Sequence, residues 1–181
     1  MKLYRFSPVE SDDNFRQALE YIHEASHELC LRALGRHLPV AENIGFFSHY
    51  RPEYDFLTSI RERLTNTDVN FHNKYYLLND ELKFPANSST PAAIYKYLYV
   101  RRPDPYRAQV GDVDFVLEPD AFQRMKQQLT EDPSSNPHAR VFPDPRLDMI
   151  ELHHPDIDVL CYVVPTTMTE EIESQEVVTG L

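Results

Sequence analysis

From Asn14 onward the apolar residues Phe15, Ala18, Leu19, Ile22, Ala25, Leu29, Ala33 and Leu34 recur in steps of three and four. That spacing places them in one stripe along an α-helix. Ser11-Asp12-Asp13 supplies an N-cap and an acidic first turn; Gly35 suits the residue just past the helix end, and Pro39 blocks continuation. The spacing predicts a helix over 12–35, long enough to require a broad apolar surface beneath it.

The rest of the chain is mostly short strand-like runs. Residues 2–6 and 43–49 read as strands, and Pro52 opens a second helix that runs to about 65 through Tyr54, Leu57, Ile60, Arg61 and Leu64. Residues 66–73 read as a loop, and 74–80, 93–100 and 110–117 as strands. Glu118-Pro119-Asp120 starts a short third helix to about 129. Residues 147–152 and 156–164 read as a hairpin turning at His153-His154-Pro155. The strands come in groups rather than in regular alternation with helices. This predicts an α+β fold, with a mostly antiparallel mixed sheet and two long helices packed on one face. Residues 1–165 form one domain in this reading, and 166–181, with four glutamates and no basic residue, an acidic flexible tail.

Four glycines, Gly35, Gly45, Gly111 and Gly180, lie too far apart to build a P-loop or a dinucleotide-binding turn. A net charge of −11 opposes general nucleic-acid binding and attachment to anionic membranes. Neither a signal-peptide core nor an apolar run of membrane-spanning length is present, and Cys30 and Cys161 sit in apolar patterns as reduced core residues. These features together predict a cytoplasmic protein.

Three constellations carry chemistry. The first is His23-Glu24-Ala25-Ser26-His27, whose histidines at i and i+4 project from one helix face. The pentapeptide resembles the H-E-x-x-H motif of zincin metalloproteases. That resemblance implies Zn²⁺ held by His23 and His27, with Glu24 as general base and a third ligand from elsewhere, His49 being one option. The Gly and third His of the extended metzincin motif are absent, with Cys30 and Ala33 in their places. On the helical wheel the two histidines fall at the edge of the buried stripe and Glu24 towards solvent.

The second is Asp112 and Asp114, which alternation puts on one face of the 110–117 strand while Val113, Phe115 and Leu117 face the core. Such a pair can clamp Mg²⁺ for phosphoryl transfer, or simply line a solvated sheet face. The third is the tyrosine-rich strand with Tyr97 and Tyr99, followed by Arg101, Arg102 and Arg107. Guanidinium groups beside aromatic faces suit a planar anionic ligand or a phosphate.

The leading expectation is a binding or accessory module whose Tyr/Arg-rich surface meets a protein or a small anionic ligand. A zinc hydrolase using His23, Glu24 and His27 comes second, and a Mg²⁺-dependent phosphoryl-transfer enzyme using Asp112 and Asp114 third.

Overall fold

A computed structural model of the chain describes residues 4–71, 74–144 and 147–166. The first helix, α1 (Asp12–Leu34), has the predicted caps: Ser11 Oγ accepts from the Asn14 amide, and Gly35 ends the helix in the left-handed region at φ 69°. Then follow β1 (Val40–Phe47), α2 (Arg51–Leu64), β2 (Thr65–Phe71), β3 (Tyr75–Phe84), β4 (Ala93–Arg101) and β5 (Gly111–Leu117). The chain continues through α3 (Pro119–Glu131), a 3₁₀ turn, β6 (Ala139–Val141), β7 (Ile150–His154) and β8 (Ile157–Pro165).

The strands make one mixed sheet in the order β2-β3-β4-β1-β5-β8-β7-β6. The β1–β4 and β5–β8 pairs are parallel and the others antiparallel, so the sheet is mostly antiparallel, as expected. Alternation sends Ile44 and Phe46 of β1, Val113, Phe115 and Leu117 of β5, and Val159, Cys161 and Val163 of β8 into one core. Phe15, Leu19, Ile22 and Leu29 of α1, Leu57 and Ile60 of α2, and Phe122 and Leu129 of α3 close the same core. The three helices therefore cover one face. On the other face Ala41, Phe47, Met149, Leu160, Tyr162 and Val164 form a smaller apolar cluster. No helix among the described residues is long and apolar enough to cross a membrane.

Several boundaries differ from the sequence expectation. Within the stretch expected as a loop, residues 66–71 belong to a strand, β2, because pairing with β3 supplies the ladder that their Asn- and Asp-rich composition disfavours. The N-terminal strand expected at 2–6 is, over the described part, a single bridge between Tyr4 and Ser7. β7 begins at Ile150, and the three-residue β6 pairs with it along the sheet edge. The expected acidic tail falls almost wholly on 167–181, outside the described residues.

Where β1 meets β5, two glycines lie diagonally across the pair, with Gly45 opposite Asp112 and Phe46 opposite Gly111. A Cβ at Gly111 would overlap the Gly45 carbonyl oxygen and meet Ile22 Cδ1 at 2.6 Å. A backbone oxygen cannot step aside as a flexible side chain can. Gly111→Ala is expected to cost about 3 kcal/mol of unfolding free energy, read by urea denaturation. A variant as stable as the parent would show that the two strands separate easily.

Candidate functional site

α2 begins at Tyr50, where buried Glu53 turns back to accept from the His49 and Tyr50 amides at 2.7 and 3.4 Å. Glu53 also accepts from Ser7 Oγ and the Val9 amide, which ties the N-terminal segment to the helix start. This fixes the direction of α2 across β4 and the β2–β3 hairpin. Tyr54, Thr58 and Arg61, at i, i+4 and i+7, then share one helix face.

That face looks onto a cavity of about 500 Å³ lined by Tyr54, Thr58, Arg61, Lys74, Tyr76, Tyr99, Val100, Arg101 and Arg102. Four of the nine lining side chains are cationic and none is acidic. The Arg61 guanidinium lies over Tyr76, its Cζ 3.9 Å from the ring centroid. Lys74 Nζ sits 4.4 and 4.6 Å from the Tyr75 and Tyr99 centroids and donates to the Tyr75 hydroxyl at 2.6 Å. Arg101 rests on Phe47 at 4.8 Å, and its carbonyl accepts from Ser48 Oγ at 2.6 Å. Burial pushes the Tyr99 phenol up to about 12, so it stays neutral at physiological pH. Arg61 is only 9% exposed, yet its Nε has no hydrogen-bond partner among the described residues, and neither has the buried Thr58 Oγ1. A ligand bearing acceptors could satisfy both.

Of the arginines and tyrosines singled out from sequence, Arg101, Arg102 and Tyr99 line this cavity. Arg107 does not; it pairs with Asp104 at 3.3 Å in the following loop. Tyr97 is buried within the sheet, in register with Asn43 and Leu77, and lies outside the lining. Thr58, Arg61, Lys74, Tyr54 and Tyr76 come from elements that sequence reasoning treated as scaffold. One signal was present: Arg61 occupies an inward position of α2 beside Leu57 and Ile60, where an unremarkable helix would carry an apolar residue.

Asp112 and Asp114 share a face, as alternation required, and that face is the helix-free one. It is not solvated: the two residues are 6% and 5% exposed. Asn43 Nδ2 donates to Asp114 Oδ2 at 2.9 Å, and Tyr75 hydrogen-bonds the same carboxyl group. Burial first, and the Asp114 charge second, push Asp112 up to about 7; Lys74 and Arg101 oppose the shift. Lys74 and Arg101 are thus common to the carboxyl pair and the cavity. β8 neighbours β5, but Asp158 is engaged by Arg5 at 2.9 Å and by the Tyr21 hydroxyl.

His23 and His27 lie together, as the helical spacing required, with ring centroids 4.9 Å apart. They are buried deep between α1 and the sheet rather than at its margin, because Phe84, Tyr95 and Phe115 close over them. His23 Nδ1 bonds the Tyr95 hydroxyl at 2.9 Å, and His27 has His37 as its other imidazole neighbour, at 5.6 Å. Glu24 points the other way, exposed, and accepts from Asn87 at 3.3 Å. His49 is not brought to the pair; it stacks on Tyr4 with centroids 4.0 Å apart, beside Glu53. Among the described residues no group of three or more His, Cys, Asp or Glu side chains could hold a metal ion. Cys30 and Cys161 are free and buried.

No family model matches the chain, and no curated protein matches it. Among solved structures, the structural-genomics protein EC4020 is similar over 96% of this chain and 98% of its own, with a TM-score of 0.53 and 17% identity. At that identity the likeness concerns the fold alone.

Proposed function

We propose that this protein is a binding module for a small anionic ligand, taken into the cavity between α2 and the ends of β3 and β4. One observation carries the reading. In a chain of net charge −11, four cationic side chains converge on a single cavity whose lining holds no carboxylate. Like charges gathered against a folded wall repel one another, and a bound anion relieves that cost while gaining charge-assisted hydrogen bonds. The volume suits a small molecule rather than a macromolecular segment.

The zinc-hydrolase reading draws less support, because Glu24 and His49 lie away from the His23–His27 pair. The phosphoryl-transfer reading retains the same-face carboxylates but lacks a third acidic partner beside them among the described residues.

The test is a thermal-shift and calorimetric panel of phosphate, pyrophosphate, citrate and benzoate at low ionic strength, on the parent and on Arg101→Glu. At least one anion is expected to raise the melting temperature, with affinity falling at least tenfold in Arg101→Glu. If no member of the panel binds, or if the charge reversal leaves binding unchanged, the proposal fails.

A further inference from the structure

We infer that the ligand of this cavity carries a phosphate group, seated against Thr58 and Arg61 of α2. The inference rests on the anion-binding reading and narrows it to one chemical class.

The charge count points that way first. A carboxylate brings one negative charge, which a single arginine satisfies; a phosphate monoester brings nearly two, with three acceptor oxygens. Arg61 also reaches Glu62 at 3.4 Å, and Lys74 and Arg101 also face the Asp112–Asp114 pair, yet with Arg102 the four still exceed what a monocarboxylate needs.

The tyrosines supply a second reason. Two of the three that line the cavity carry on their rings a cation that lines it too: Arg61 over Tyr76 at 3.9 Å and Lys74 over Tyr99 at 4.6 Å. The rings hold and stiffen the positive groups, so less side-chain entropy is lost when those groups meet an anion. Recognition is thereby weighted towards the charged head group and away from ring stacking.

The third reason is placement. Thr58 and Arg61 are neighbours one turn apart on α2. Their buried Oγ1 and Nε have no partner among the described residues, while the Arg61 guanidinium is held over Tyr76. A tetrahedral group with several acceptors can receive both donors at once. The planar guanidinium presents Nε–H and an Nη–H as a fork for that purpose, which an ammonium could not reproduce.

The experiment compares phenyl phosphate with benzoate, which share a ring and differ in head group, and adds inorganic phosphate alone, by isothermal titration at pH 7.5 and low salt. Phenyl phosphate is expected to bind at least tenfold more tightly than benzoate, with inorganic phosphate also binding. Thr58→Val, close to isosteric, should weaken phenyl phosphate roughly tenfold, and Arg61→Lys, which keeps the charge, by more than tenfold. Benzoate binding as tightly as phenyl phosphate overturns the inference while leaving the anion-binding reading intact. So does unchanged phenyl phosphate affinity in both variants when Arg101→Glu abolishes it. Failure of all three compounds to bind overturns the inference, and the anion-binding reading falls with it only if pyrophosphate and citrate also fail to bind. Thr58→Val decides the matter alone if Arg61→Lys does not fold.

Discussion

Acidification from pH 7 to pH 4 should unfold this protein far more readily than its carboxylates alone would, and His27→Leu should blunt the effect. Burial lowers the pKa of His23 and of His27 from 6.5 to about 4, and for His27 the neighbouring His23 and His37 lower it further. The unfolded chain therefore binds protons that the folded chain refuses. The stability tied to the neutral imidazoles is complete above pH 6.5 and is lost as the pH falls towards 4. A drop of that size corresponds to roughly 3 kcal/mol per imidazole, a large share of the stability of an ordinary domain. Neither ring nitrogen of His27 has a partner among the described residues, so leucine removes no hydrogen bond there. At pH 5 His27→Leu should lose about 2 kcal/mol less than the parent, relative to pH 7.5. Stability curves for parent and variant that run parallel between pH 4 and 7 would falsify this account of the histidines.

The second large effect has the opposite sign. Burial and the charge of Asp114 hold the Asp112 pKa above its ordinary value of 3.8, at about 7. Here the folded state binds the extra proton. Stability is complete below pH 3.8 and declines as the pH rises towards 7, with no further change beyond. Asp112→Asn removes the charge while keeping the shape. It should stabilise the protein by roughly 3 kcal/mol at pH 8 and by almost nothing at pH 3.5. The imidazoles and the carboxyl pair pull the parent's pH profile in opposite directions, so the informative measurement is the difference between variant and parent at each pH. Destabilisation by Asp112→Asn at pH 8 would mean that the ionised carboxylate is held by interactions stronger than its burial cost.

Much of the fold could be read from local pattern. α1 announced itself through its stripe and caps, and the β7–β8 turn through His153-His154-Pro155. β2 could not be read that way: an Asn- and Asp-rich stretch becomes a strand only because β3 lies beside it. The carboxyl pair shows the same limit. Alternation placed Asp112 and Asp114 on one face but could not say that the face is buried, since burial depends on strands distant in sequence. At the cavity, adjacent residues such as Arg101 and Arg102 were legible. Thr58 and Arg61 were not, because they reach the site only once α2 crosses β4. Glu24 illustrates the converse: its spacing from the histidines matched a catalytic pattern, while the helix turned it towards Asn87.

α1 packs chiefly on β8, with further contacts to β7, β5 and β1. The first of the described helices thus docks on the last of the described strands. At ordinary elongation speeds the interval between emergence of Leu34 and of Ile157 is on the order of ten seconds. Throughout it, the apolar side of the helix has only β1, and later β5, to rest on. The apolar stripe of α1 therefore completes its packing only when β7 and β8 join the sheet, which makes its final docking a late step of folding.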